Sequence, residues 1–171
     1  MIFESERLYT RYFTMSDLDI FFRLNGDEEI VRYIRAPKTY EECRSFLTQI
    51  IEWYTGPAIN WRIALLSKEN NQVIGSFAII PIGNTADMQL GYSLVKEHWG
   101  KGYATEITEA GLRYAFEKLG YPSIAAITES ANSASQKVLL KCGFCLEAEY
   151  EEDGRNLLRF HRRQNDAATP V

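Results

Sequence analysis

The chain carries two hydrophobic rhythms. Between Ser16 and Gly56 the apolar residues recur every three or four positions: Leu18, Phe21, Phe22 and Leu24, then Cys43, Phe46, Leu47, Ile50, Ile51 and Tyr54. That spacing stacks them on one face of a helix. Ser16 is placed to cap the first helix by accepting a hydrogen bond from an otherwise unpaired N–H. Thr39-Tyr40-Glu41-Glu42 has capping-box spacing before the second, and Gly56 stops it. Asp27 to Ile34 reads as one or two further helical turns, and Leu8 to Phe13 as a short first strand.

From Trp61 the period falls to two. Trp61 to Leu66 and Val73 to Ile80 alternate as strands around the polar turn Lys68 to Gln72, which predicts a hairpin. After the turn Pro81-Ile82-Gly83-Asn84, Met88 to Val95 reads as a third strand. The helical period returns from Ala104 to Leu119, with Ile107, Ala110, Gly111, Tyr114, Ala115 and Leu119 on one face and Gly120 at its end. Ile124 to Thr128 is a strand. Asn132 caps a short helix carrying Ala134, Val138, Leu139 and Cys142, closed by Gly143. Two last strands, Phe144 to Glu151 and Asn156 to Arg162, flank the Asp153-Gly154 turn. Strands and helices in this order make an α/β domain of the α+β type around one central sheet. It spans residues 1–164, with 165–171 read as a disordered tail.

Composition narrows the class. At 171 residues, 46% hydrophobic and 25% charged, the chain suits one globular domain. No apolar run approaches the roughly 20 residues of a membrane span. Met1 to Arg7 lacks the basic and apolar regions of a signal peptide, so no membrane partner and a cytoplasmic location are expected. A formal net charge of -4 argues against nucleic acid as the main ligand. Cys142 and Cys145 have redox-motif spacing, but at a helix C-terminus, where the dipole disfavours a thiolate; a buried structural role is expected for them. His98 and His161 show no metal-ligand spacing, and no metal is expected. Glu147, Glu149, Glu151 and Glu152 read as a solvated strand face, and Arg155, Arg159, Arg162 and Arg163 as exposed, with contact to a substrate open for one of them. Trp53, Tyr54, Trp61 and Tyr92 are either core or the wall of a pocket, with Tyr92 and Tyr33 the better candidates for substrate contact.

The chemistry concentrates where the third strand meets a helix, at Trp99-Gly100-Lys101-Gly102-Tyr103-Ala104-Thr105. The first N–H groups of a helix have no internal partner and lie at the positive end of its dipole. Glycines let an anion reach that backbone, so the segment reads either as a pyrophosphate cradle or as an ordinary strand-to-helix connection. A P-loop would need Gly, four residues, Gly-Lys and Ser or Thr, which is absent. A dinucleotide fingerprint would need a glycine or alanine at Thr105 and an acidic residue ending a strand about 20 positions on, where this chain is still helix or turn.

Gln or Arg, two residues, Gly, one residue, then Gly or Ala is the pyrophosphate signature of the GNAT acyltransferase superfamily. Trp99 to Ala104 resembles it, with tryptophan in first place. Ser5-Glu6-Arg7-Leu8 with Ser16-Asp17, Gly91-Tyr92 ahead of Trp99, and Asn132-Ser133-Ala134-Ser135 ahead of Lys141-Cys142-Gly143-Phe144 are similar to the ribosomal-protein N-terminal alanine acetyltransferase branch. The resemblance runs from about Ser5 to Arg162. It implies a mixed, mostly antiparallel sheet, flanked by helices and splayed open at a cleft for acetyl-CoA. On it, Leu94 and Val95 offer backbone groups to pantetheine, and Gly100, Lys101, Gly102, Tyr103, Ala104 and Thr105 hold the pyrophosphate. Asn132 and Ser135 face the pantetheine arm and thiol, and Lys137 or Lys141 meets the nucleotide end.

The implied reaction is direct attack of a primary amine on the thioester in a ternary complex, the acceptor being a protein N-terminus, a polyamine or another small amine. Ser135, Asn132, Gln89 and Tyr92 are the candidate catalytic residues. Ser135 stands where many relatives carry a tyrosine acid and is read as a hydrogen-bond donor or water anchor. Gln89 stands where the branch often has glutamate; a glutamine orients an amine or water but takes no proton. That departure keeps a non-catalytic acyl-CoA-binding domain as the alternative. Monomer and homodimer both stay open.

Overall fold

Seven strands form one sheet: β1 (Leu8–Arg11), β2 (Trp61–Ser67), β3 (Val73–Pro81), β4 (Met88–Leu94), β5 (Ser123–Glu129), β6 (Cys145–Glu152) and β7 (Arg155–Arg163), in the order β1-β2-β3-β4-β5-β7-β6. Among the described residues, five α-helices flank it: α1 (Leu18–Gly26), α2 (Glu28–Val31), α3 (Tyr40–Trp53), α4 (Tyr103–Glu117) and α5 (Ser133–Lys141). This computed structural model describes residues 1–56 and 61–166. The Trp61 side chain and residues 167–171, most of the expected tail, lie outside the described residues. Asn165 and Asp166 form a turn, the Asp166 carboxylate accepting the Arg163 N–H at 2.9 Å.

Strand alternation splits the core between two faces. Ala64 and Leu66 of β2 pack with Phe13, Phe21, Cys43, Leu47 and Ile50 beneath α1 and α3. Ile63 and Leu65 face the other way, with Ile107, Leu112 and Ala115 of α4 and Leu139 of α5. Gly111 lets α4 press onto the sheet, since a Cβ there would stand 2.2 Å from Phe77 Cζ. No described helix is long and apolar enough to cross a membrane.

Every neighbouring strand pair is antiparallel except β4 and β5, which run parallel. Those two share one paired position, Gln89 with Ala125. By contrast β5 pairs with β7 from Ser123–Arg163 to Glu129–Leu157. Past Gln89 and Ala125 the two parallel strands part, leaving a cleft.

Several local expectations need correction. Ser16 does not cap α1: its hydroxyl lies 2.8 Å from the Thr14 hydroxyl. The turn is tied instead by Asp17, whose carboxylate accepts the Thr14 N–H at 2.8 Å and both terminal nitrogens of Arg11. Burial alone would raise the Asp17 carboxyl, but the hydrogen bonds from Arg11 and Thr14 outweigh it and hold the pKa below the ordinary value. Arg155, Arg159 and Arg162 are not exposed; Arg155 pairs with Glu129, Arg159 with Asp87 and Glu147, and Arg162 lies under Gly143. Arg163 is exposed. Cys142 is buried, and burial pushes its thiol up to about 12, whereas Cys145 is exposed on β6.

Candidate active site

The cleft is walled on one side by the free edge of β4. The Val95 N–H bonds Ile74 O at 3.0 Å, which fixes the hydrogen-bonding phase of the β3–β4 ladder. Because antiparallel partners alternate, the main-chain groups of Tyr92 and Leu94 point away from β3, into the gap where β5 has diverged. Val95 has its N–H on Ile74 and its carbonyl on the His98 N–H at 3.0 Å, so both its backbone groups are engaged within the fold. Trp99 closes the corner: its indole N–H donates to Leu94 O at 2.8 Å.

The turn follows at once. Gly100 and Gly102 have φ of +71° and +80°, a region that costs any residue with a Cβ. Gly102 is the residue before α4, and no side chain caps that helix. The first N–H groups of Tyr103, Ala104 and Thr105 therefore converge on open space at the positive end of the dipole. Lys101 is exposed beside them.

Across the cleft, Asn132 Oδ1 accepts the Ser135 N–H at 3.1 Å and caps α5. The Ser135 hydroxyl lies 3.3 Å from the Tyr92 hydroxyl. Burial, only partly offset by Ser135, pushes that phenol up to about 12. Lys137 and Lys141 are exposed on α5. Gln89 is not with them. It shares with Gly91 and Ser93 the opposite pleat of β4, the side facing α1 and α3, where Ser93 Oγ lies 2.9 Å from Ser76 Oγ. Asp87 is held by Arg159 Nη2 at 2.8 Å and is not free to serve as a base in place of Gln89.

Sequence spacing gives no sign of Arg7, yet it lies at the cradle. Its guanidinium stacks 4.5 Å from the Tyr103 ring centroid, and Nη2 is 3.5 Å from where a Gly102 Cβ would be. Its Nε donates to Glu106 Oε2 at 2.6 Å, while Glu106 Oε1 accepts the Arg7 N–H and the Ser5 hydroxyl at 2.7 Å each. Burial works to raise the Glu106 pKa, and these hydrogen bonds outweigh it and hold it low. The two partners stand 99 positions apart, so a single sequence does not join them.

The aromatic candidates divide. Tyr54 donates to Arg62 O and accepts the Phe13 N–H, and Trp53 packs against Phe46, so both belong to the α1–α3 layer. The Tyr33 and Ile34 carbonyls accept from Arg155 of β7, whose guanidinium also meets Glu129 at the end of β5. Arg155 thus ties the segment after α2 to the far wall of the cleft.

The family model described as an acetyltransferase (GNAT) domain matches residues 7–145. An uncharacterized N-acetyltransferase of Bacillus subtilis, YoaA, is 28% identical over 147 residues, covering 84% of this chain and 82% of its own. Among solved structures, a GNAT-family acetyltransferase from Bacillus anthracis superposes with a TM-score of 0.84 at 21% identity, over 97% of this chain and all (100%) of that one. A ribosomal-protein-S5-alanine acetyltransferase from Vibrio fischeri (TM-score 0.76, 20% identity, covering 96% and 97%) shares the fold. So does a spermidine N-acetyltransferase from Vibrio cholerae solved with CoA and spermine (TM-score 0.80, 20% identity, 92% and 96%). The fold is thus common to enzymes of different acceptors, and the ribosomal-protein branch is one neighbour among several. With a cleft opened by the parting of β4 and β5, and an uncapped helix behind a two-glycine turn at its end, this chain belongs to the GNAT family of N-acetyltransferases.

Proposed function

We propose that the chain transfers the acetyl group of acetyl-CoA to a primary amine by direct attack in a ternary complex. The observation that carries this reading is the single Gln89–Ala125 pair, beyond which the Tyr92 and Leu94 backbone faces an open cleft that ends on the α4 N-terminus. The donor set fits acetyl-CoA. Gly100 to Thr105 offer an anion the unpaired N–H groups of a helix start, and Lys101 adds a charge. The Leu94 N–H bonds the thioester carbonyl and polarises it as charge develops on oxygen. Lys137 or Lys141 meets the nucleotide end.

Acetyl-CoA supplies the electrophilic carbon; the new C–N bond forms as the C–S bond breaks. The amine must be neutral to attack, and a free α-amine, with a pKa near 8, is neutral in about a tenth of molecules at pH 7. Gln89 orients the amine or a water on the acceptor face, and the proton leaves to solvent. The departing thiolate needs little help, being near pKa 8.5. The Tyr92 phenol, protonated across the working range, donates to it, and Ser135 holds the phenol in place. This arrangement puts a tyrosine hydroxyl from β4 beside the α5 position where relatives place one.

Calorimetry with acetyl-CoA, followed by thiol release against an amine panel, tests the reading. Binding with turnover on some amine is expected. Binding without turnover on any amine would favour the non-catalytic alternative, for which Gln89 speaks. No binding would sink both.

A further inference from the structure

The acceptor side of the sheet carries two charges that the transfer chemistry leaves unexplained. Arg62 projects from β2 and Arg35 follows α2, and both line one cavity with Asn25, Phe46, Ser76 and Ser93. Arg7, Arg11, Arg23, Arg155 and Arg159 each meet a carboxylate. Arg35 and Arg62 are half-buried, yet among the described residues neither has a carboxylate within ion-pair distance. Arg62 has the Phe46 ring 5.5 Å from its guanidinium carbon. Burial, and then the Arg35 charge, pull the Arg62 pKa down to about 10. Burying a charge without a partner is costly, so such a pair calls for an anion.

The shape says which kind. The cavity has room for about 30 Å³, the scale of a water or two or one carboxylate, not of a whole substrate. Arg35 also borders a wider recess of about 440 Å³, walled by Glu28, Arg32, Glu129 and Arg155 at the end of β5. A small anionic group can thus sit between the two guanidinium groups while the rest of its molecule extends outward. Ser93, a wall of the cavity, immediately precedes Leu94 and its cleft-facing backbone.

We propose that Arg35 and Arg62 form an anion site in the acceptor half of the cleft, and that the natural acceptor is a primary amine that also carries a carboxylate. This rests on the transfer reading above and specifies its substrate class. A polyamine, positive along its length, meets two uncompensated cations there; an amino acid or similar zwitterion meets its counter-charge. Arg35 and Arg62 bind the carboxylate, and bidentate guanidinium geometry suits that group.

Matched acceptors separate the possibilities. Thiol release from acetyl-CoA is followed with an amino acid, its carboxamide, an aminoalkyl phosphate and spermidine. The amino acid is expected to exceed its carboxamide in kcat/KM by about tenfold or more, the loss typical of a charge-assisted hydrogen bond. Arg62→Met and Arg35→Met should raise KM for the amino acid, narrow that ratio toward one and leave calorimetric affinity for acetyl-CoA unchanged, which also shows that the variants fold. Arg62→Lys should restore part of the preference. Equal or better use of spermidine or the carboxamide would overturn the proposal, and preference for the phosphate would replace carboxylate by a larger anion. If no amine is acetylated although acetyl-CoA binds, the transfer reading fails separately. The anion site is then judged by calorimetry with N-acetylglycine, a carboxylate without a reactive amine. Saturable binding lost in Arg62→Met would uphold the site, and no binding to the unaltered chain would sink it.

Discussion

The two halves of the cleft are built from different materials. On the cofactor half, the binding groups we propose are main chain: the Leu94 edge of β4, the φ-positive turn at Gly100 and Gly102, the uncapped start of α4. On the proposed acceptor half they are side chains brought from β2, β3, β4 and the segment after α2: Arg62, Ser76, Ser93 and Arg35, which line one cavity. A main-chain site tolerates change in every residue except those that set its backbone dihedrals. A side-chain site changes its ligand with one substitution. One scaffold can therefore serve different acceptors, as the spermidine and ribosomal-protein enzymes that share the fold illustrate.

The sharpest way to break this contrast is Gly102→Val. Its φ of +80° is costly for a β-branched residue by about 1–2 kcal/mol, so the turn should shift rather than the fold melt. Calorimetric affinity for acetyl-CoA should fall by about 100-fold or more, the loss of two or more charge-assisted hydrogen bonds, while the circular-dichroism melt moves by a few degrees. Retained affinity would show that the cofactor half does not rest on this backbone.

A smaller effect is expected where side chains enter the cofactor half. Tyr92→Phe removes the hydroxyl beside Ser135 and should lower kcat by about tenfold, less than a full general acid contributes because the thiolate leaves readily. Ser135→Ala should cost only about two- to threefold, on the scale of a weak hydrogen bond. Single-turnover rates with saturating acetyl-CoA would read both; a larger loss for Ser135→Ala would make the serine the acid.

The smallest effect concerns the support behind the cradle. Glu106 has its folded-state pKa lowered, so its contribution to stability is present above the ordinary carboxylate pKa and is lost as pH falls through the lowered value. Urea midpoints of Glu106→Gln and the unaltered chain should differ near pH 7 and converge as the pH falls through the lowered Glu106 value. A difference that persists in acid would mean that Glu106 acts by packing rather than charge.

What was legible follows the same division. Glycine at 100 and 102 is written in the sequence because the turn needs φ values that other residues resist, and the hairpins and amphipathic helices are written in their periods. The turn before α1 is not legible from Ser16 because several nearby oxygens can accept a helix N–H, and Asp17, held by Arg11, takes the Thr14 N–H. Arg155 and Arg159 looked solvated because their acids, Glu129 and Asp87, lie on other strands. Arg35 and Arg62 share no spacing rule at all; the segment after α2 and strand β2 bring them together. Gln89 and Tyr92, close in sequence, face opposite sides of β4 by pleat alone.

The acidic run of β6 has a role that the cleft does not reveal. β6 is the outermost strand, exposed along nearly its whole length, and its free edge could pair with the same edge of another copy. Arg159 pairs with Glu147, whereas among the described residues no ion pair holds Glu149, Glu151 or Glu152 on the exposed strand. Two such strands laid antiparallel would set carboxylates against carboxylates, which repel at neutral pH. A row of bare carboxylates makes this edge a poor template for a second copy of the strand.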